Sequence, residues 1–191
     1  MPLQLITPPA EEPVSLIEAK LHLRVEFDED DTLIASLISA ARQAAETLTG
    51  RQFTTARWKL VLDGFPRGVI ALAKCPVQSV VDVNYQDMNS MVQTMPASTY
   101  TVDTACEPGR ITPVFGQIWP VCLPQIGVVR VTFDAGYGAA AQVPDGIKSW
   151  IKLRVGSLYA HREEMAVLSR GRIDPLPFVA GLLDPYRVVL V

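Results

Sequence analysis

The residues best suited to metal binding are four consecutive acidic residues at positions 28–31. An EF-hand calcium loop needs spaced oxygen ligands, with a glycine at its sixth position and a glutamate at its twelfth. Counted from Asp28, those positions hold Leu33 and Ser39, so the acidic run does not fit that site. Carboxylates are also favourable at the positive end of a helix dipole. The acidic run therefore predicts a helix start, and we expect no bound metal.

Histidine and cysteine are the next candidates for chemistry. The two histidines, His22 and His161, lie far apart, and the sequence has no Cys-x-x-Cys or His-Glu-x-x-His segment. A catalytic pair of cysteine and histidine stays open, since such partners meet only in the fold. The odd number and wide spacing of the cysteines are typical of buried free thiols in a reducing cytosol. These cysteines are Cys75, Cys106 and Cys122.

Gly136, Tyr137 and Gly138 follow a predicted strand and are the one candidate for a phosphate-binding loop. The further glycine of a dinucleotide fingerprint is missing, as are the Gly-Lys-Ser/Thr of a P-loop and any Gly-x-Ser-x-Gly segment. A turn between strand and helix explains these residues better. The sequence therefore predicts no cofactor and no enzyme, with a small hydrolase or transferase in the β region as the remaining enzymatic alternative.

Length and composition favour a globular protein of 191 residues, either one domain or a domain with an inserted lobe. Hydrophobic residues make up 49% and charged residues 19%, which is enough apolar material for a core. The net charge of -3 argues against a strongly basic nucleic-acid binder, although a protein that surrounds DNA loosely is compatible with it. No apolar run approaches the roughly 18 residues of a transmembrane helix, and no secretory signal is present, so we expect a soluble, cytosolically made protein.

Two helices are predicted near the N-terminus. Ser15 and Glu18 have the spacing of a capping box, which begins a short helix ending near residue 25. The second helix follows the acidic run and ends at Gly50. Arg42 and Glu46 are expected to pair on its outer face. The apolar face of this helix is formed by Leu33, Ile34, Leu37, Ile38, Ala41, Ala44, Ala45 and Leu48.

A third helix is predicted after Pro144 and Asp145, because proline suits the first turn and a carboxylate suits the positive end of the dipole. Gly156 lowers helix propensity by roughly 1 kcal/mol relative to alanine, so another element is expected to approach closely there. The apolar stripe of this helix consists of Ile147, Trp150, Ile151, Val155, Leu158 and Tyr159.

Between the helices, apolar residues alternate with polar ones from Arg57 onward, as in short half-buried strands. Residues 86–98 are predicted to form a long exposed hairpin loop, and residues 111–123 an irregular arm. The fold class is therefore α+β: N- and C-terminal helices form a helical bundle with an inserted antiparallel β-sheet or small sandwich. The expected division is a single domain, 1–191, with an extended arm (1–13), a helical part (14–53 plus 143–191) and an inserted β region (57–136).

Both helical ends carry motifs of a known family. The N-terminal motif residues are Lys20, Leu23, Arg24, Gly50, Arg51 and Phe53. The C-terminal motif residues are Val143, Pro144, Ile147, Trp150, Tyr159, Arg162, Glu163, Leu182, Leu183, Pro185, Tyr186 and Arg187. In these motifs the chain resembles the phage head–tail connector, or adaptor, proteins, which form a ring beneath the portal of tailed phages. None of these residues suggests catalytic chemistry, so the resemblance points to shape and docking.

The resemblance implies a non-enzymatic virion subunit that associates with itself into a ring of about twelve or thirteen copies. Its expected partners are the phage portal protein and a tail or stopper protein, with DNA passing through the lumen without sequence-specific binding. No membrane is expected to take part. The protein would be in the host cytoplasm during assembly and at the head–tail junction of the virion afterwards. The alternative is another neck or tail-completion protein, which would be a hexamer or a monomer.

Two groups of residues are candidates for the interface. Basic residues of the C-terminal region form either a solvated face or a surface that lines the lumen or meets an acidic partner. Apolar residues after them either pack back onto the helices or dock on a neighbour, and the resemblance favours docking. The candidate residues are Lys148, Lys152, Arg162, Phe178, Leu182, Leu183, Tyr186 and Arg187. The loops at 86–97 and 114–124 are candidates for contacts along the ring axis.

Overall fold

A computed structural model describes residues 2–161, 179 and 181–188 of the chain. Within these ranges it contains the helices α1 (Leu16–Leu23), α2 (Asp31–Thr49) and α3 (Asp145–Ala160). The strands are β1 (Leu3–Thr7), β2 (Ala56–Leu62), β3 (Ile70–Leu72), β4 (Val77–Gln86), β5 (Val92–Thr94), β6 (Tyr100–Asp103), β7 (Gly109–Pro113) and β8 (Val129–Ala135). The predicted α+β class is confirmed, whereas the description as a helical bundle with an inserted sandwich stays a prediction.

The ends of α1 and α2 follow from their local sequence. The amide of Glu18 donates to Ser15 Oγ at 3.2 Å, and the Glu18 carboxylate accepts from the Ser15 amide at 2.8 Å. This is the predicted capping box. At the other end of α2, Gly50 has a φ of 73°, and its amide donates to the Glu46 carbonyl at 2.9 Å. A glycine adopts this left-handed conformation without steric cost, so α2 ends where the sequence predicted.

The three helices share one core. α2 buries Ile34, Ile38, Ala41 and Ala45. α3 buries Ile147, Trp150, Ile151 and Val155. At Gly156 a Cβ atom would lie 3.6 Å from Nε2 of His22, which is an ordinary van der Waals distance. α1 is therefore the element that packs beside Gly156, at a distance that leaves room for a Cβ atom.

The strands form two antiparallel sheets, with β8 in the centre of the larger one. The five-stranded sheet has the order β1-β2-β8-β4-β5, and the three-stranded sheet has the order β3-β7-β6. In the register of β2 and β8, Trp58 lies opposite Phe133 and Leu60 opposite Val131. Side chains from both sheets share a second core, separate from that of the helices. Its fully buried members include Leu60, Ile70, Leu72, Val83, Ile111, Val131 and Phe133.

Two segments predicted as an arm and as a loop each contain a paired strand. Residues 1–13 were expected to be an extended arm; within them, β1 is extended and pairs with β2 at the edge of the larger sheet. The predicted long exposed hairpin loop at 86–98 is shorter than expected, because it contains β5, which pairs with β4. The pairing was not apparent because β5 is only three residues long and all of it is exposed. Among the described helices, none has the length and apolar character needed to cross a membrane.

The capping box gives a direct test of how local sequence stabilises this fold. Ser15→Ala removes the side-chain oxygen that accepts from the Glu18 amide, and we expect the free energy of unfolding to fall by about 1 kcal/mol. Ser36→Ala is the matched control, because the Ser36 hydroxyl bonds only to the Leu33 carbonyl on the exposed side of α2. We expect that control to change stability by about 0.5 kcal/mol or less. Urea unfolding of both variants measures this difference. Equal losses in the free energy of unfolding would contradict a stabilising role of the Ser15 cap.

Candidate subunit interaction surfaces

The side chain of Arg51 joins three parts of the chain directly after α2. Its Nε donates to the carbonyl oxygen of Tyr186 at 2.5 Å, and its two terminal nitrogens bond to the carboxylate of Glu107. The guanidinium carbon also lies 5.9 Å from the ring centre of Tyr137. Arg51 is buried, with 8% of its surface exposed. The end of α2, the loop between β6 and β7 and the C-terminal segment therefore meet at one cation.

Burial of Arg51 and its pairing with Glu107 have opposite effects on the pKa of the guanidinium. Burial alone would lower the pKa of Arg51, but the hydrogen bonds and charge of Glu107 outweigh it and raise the pKa. The same burial raises the pKa of the Tyr137 hydroxyl. Arg51 is thus held charged, and a bidentate pair of this kind fixes geometry as well as charge.

The C-terminal segment, defined as residues 179 and 181–188, packs against its own chain where it is described. Leu183 is 1% exposed and belongs to the helical core, against which Leu182 and Tyr186 are partly buried. The amide of Val188 donates to the carbonyl of Thr49 at 2.9 Å. Arg187 is exposed and pairs with Asp184 at 3.0 Å. Leu183 thus holds the segment against the helical core, whereas Arg187 lies at the surface.

Lys148 and Lys152 lie one turn apart on α3 and face α1. The pKa of Glu18 is lowered chiefly by its hydrogen bonds with Ser15, and the two lysine charges lower it further. Both lysines are partly exposed. The structure therefore brings these predicted site residues together at the junction of α1 and α3. Of the remaining predicted site residues, Arg162 and Phe178 lie outside the described residues.

The acidic run at 28–31 holds the helices together. Lys20 Nζ contacts Asp28 Oδ1 at 2.6 Å and Asp31 Oδ1 at 2.7 Å. The hydroxyl of Tyr159 donates to Asp30 Oδ2 at 2.5 Å. These contacts join α1 and α3 to the start of α2. In the described part of the chain, no cluster of histidine, cysteine and carboxylate side chains is arranged to hold a metal ion.

Arg42 and Glu46 form the predicted pair at 2.8 Å, but its predicted place on an outer face was wrong. Both residues are buried, because Glu12 of the N-terminal segment binds Arg42 at 2.6 Å and Gln52 binds Glu46 at 2.7 Å. The Phe53 amide also donates to the Glu46 carboxylate. Burial raises the pKa of Glu46 despite the neighbouring Arg42 charge.

Exposed apolar side chains concentrate on the loop between β7 and β8. Next to this loop lies an open groove of about 810 Å³, formed with the turn at residues 64–67. On α1, Ile17 and Leu21 are also exposed, one helical turn apart. Of the cysteines, all of which are free thiols, Cys75 is buried, whereas Cys106 and Cys122 are partly exposed. The expectation of buried thiols therefore holds for Cys75 alone.

Comparison with known proteins gives one family and a consistent set of folds. Residues 13–104, just under half of the chain, match the family described as phage gp6-like head-tail connector protein. Over these residues the match confirms the resemblance to the connector proteins that the N-terminal motif indicated, and it supports the predicted role of a structural connector protein. Comparison with curated protein sequences gave no match.

Three solved structures have a similar fold. A chain in the neck of an empty GTA particle, computed with C6 symmetry, has a TM-score of 0.82 and 22% identity. A chain in the virion of a native gene transfer agent (GTA) particle gives the same values. A chain in the neck of a native GTA particle, computed with C12 symmetry, has a TM-score of 0.80 and 23% identity. Each match covers 100% of this chain and 97% of the other.

The Arg51 junction predicts that arginine cannot be replaced by lysine. Arg51→Lys keeps the charge but loses the planar fork that binds Glu107 and Tyr186 together, so we expect the free energy of unfolding to fall by about 2 kcal/mol. We also expect the Val188 amide to exchange hydrogen faster. Arg110→Lys is the matched control, since Arg110 forms an exposed pair with Asp103. Unchanged exchange at Val188 in Arg51→Lys would contradict the role of the junction.

Proposed function

We propose that this protein forms a closed ring of about twelve copies that joins a phage portal to a tail or stopper protein around the DNA channel. The observation that carries the proposal is the connector-family match over residues 13–104. The fold likeness along the whole chain to neck structures computed with C6 and with C12 symmetry supports a ring, and twelve copies are compatible with both symmetries. The host cytoplasm would be the place of assembly, and the head–tail junction of the virion the final location.

Ring closure needs head-to-tail contacts between two different, complementary surfaces on each subunit. Lys148 and Lys152 are proposed to lie at one such surface, at the junction of α1 and α3. The C-terminal segment is proposed to lie at another, with Leu182, Leu183 and Tyr186 holding it in place and Arg187 exposed. Arg162 and Phe178, which lie outside the described residues, stay predicted contact residues.

The charge of the protein suits a DNA channel. A net charge of -3 gives a ring with little general affinity for the phosphate backbone, because that affinity comes from clustered lysine and arginine. DNA can then pass without being held. The role proposed here requires association alone, with no catalysis, cofactor or metal.

The proposal predicts a ring in solution. We expect the purified full-length protein, alone or mixed with the portal protein of the same genome, to give a native mass of about twelve or thirteen subunits. Negative-stain images of the same sample should show closed rings. A protein that remains monomeric and ignores the portal would overturn the connector proposal, and a hexamer would favour another neck protein.

Charge reversal tests the surface proposed at the junction of α1 and α3, with native mass and negative-stain images again as the measurement. In Lys148→Glu/Lys152→Glu, two added carboxylates lie near Glu18, and we expect ring formation to weaken by about tenfold or more. Arg154→Glu is the control, since Arg154 is exposed on the same helix. Circular dichroism confirms that each variant is folded. Equal ring yields from the unsubstituted protein, the double variant and the control would show that the two lysines do not lie at the interface.

A further inference from the structure

The loop that joins β7 to β8 has an unusual surface. No charged side chain occurs in the sequence between Arg110 and Arg130. Phe115 is fully exposed, with a relative accessibility of 103%, and Ile118, at 87%, is nearly so. Val121 is exposed as well. An exposed apolar group of this kind is costly in water and typical of a surface that a partner covers.

The loop is held in a defined position at its base. The ring of Trp119 stacks on Phe65 with centroids 4.9 Å apart, and its Nε1 donates to the Gly68 carbonyl at 2.8 Å. The amide of Leu123 donates to the Gln86 carbonyl at 3.0 Å. The exposed side chains therefore project from an anchored backbone, which reduces the entropy lost when they bind.

The composition of the loop identifies the kind of partner. A nucleic acid requires several lysine or arginine side chains, and Arg67 is the one cation among the residues lining the groove beside Phe115. A partner with an apolar pocket and a negative rim fits this surface better. The partner is therefore a protein surface.

The same chain carries such a pocket on its helical side. Between the start of α1 and the middle of α2 lies a cavity of about 320 Å³, whose apolar walls include Val14, Ala35 and Ile38. At its rim Glu11 is exposed and accepts from the Ala140 amide at 2.8 Å, whereas Glu12 is already paired with Arg42 at 2.6 Å. Val14 and Ile38 belong to the helical core, whereas Trp119 and Phe65 pack on the core of the sheets. The loop and the pocket are thus built on different cores of one subunit.

We propose that the 114–126 loop of one subunit docks into the α1–α2 pocket of the next subunit in the ring. The apolar loop has the exposed Arg67 beside it, and the apolar pocket has the exposed Glu11 at its rim, so the two surfaces are complementary in apolar character and in charge. Two different surfaces that complement each other produce a head-to-tail contact, which closes into a ring when the rotation fits. This inference rests on the proposed ring and adds a contact between neighbouring subunits to those proposed for the two lysines and the C-terminal segment.

Thiol cross-linking tests the contact directly. In a Cys106→Ser/Cys122→Ser background, Gln117→Cys and Ala35→Cys place one thiol on the loop and one at the pocket while Phe115 is kept. Both altered positions are exposed, so the fold is retained. A short bis-maleimide should then join successive subunits, giving a ladder of covalent species from dimer up to the full ring. Native mass of the untreated sample reports in parallel whether rings are present.

The matched control moves the second thiol to Ala40, which is exposed on α2 outside the pocket. A ladder from Gln117→Cys/Ala35→Cys, with at most dimers from Gln117→Cys/Ala40→Cys, is the expected result. Rings that form without a ladder, or with equal ladders in both, overturn the loop contact and leave the connector role intact. Absence of rings from the unsubstituted protein, both alone and with the portal protein, overturns both proposals. As a second variant, Phe115→Asp should weaken ring formation about tenfold, and unchanged assembly would also overturn the contact.

Discussion

The guanidinium of Arg51 is the contact on which the arrangement of the other parts depends. The left-handed turn at Gly50 ends α2, and the next side chain then binds Glu107 and the Tyr186 carbonyl. A buried cation is tolerated only when its donors are satisfied, so the β6–β7 loop and the C-terminal segment are fixed relative to α2. The helices and the sheets have separate cores, and the contacts of Arg51 connect the end of α2 to the β6–β7 loop of the smaller sheet.

Polar contacts inside the subunit and apolar groups on its outside have different roles. Lys20 and Tyr159 join α1 and α3 to the acidic start of α2, while Arg42 and Glu46 are buried under the N-terminal segment. These contacts fix the helices relative to one another. Apolar side chains remain exposed on α1 and on the loop between β7 and β8. A subunit with exposed apolar surfaces suits a protein that acts by association.

Features that depend on short segments of sequence were predictable, whereas features that depend on pairing between distant residues were not. The Ser15 cap and the end of α2 at Gly50 followed from short segments. Leu48 was expected on the buried face of α2 but is half exposed, because Thr49 takes the buried position in the last turn. The motif containing Arg51 was apparent in the sequence, yet its partner Glu107 lies 56 residues away and could be found only in the fold.

The most direct test of the connector role is the location of this protein in assembled particles. Particles purified from cells that carry the encoding genome can be imaged by electron cryomicroscopy, with the neck reconstructed under imposed cyclic symmetry. The account predicts a ring of this fold between the head and the tail, with the chain also present in the particles by mass spectrometry. Particles that have a complete neck but lack this chain would contradict it.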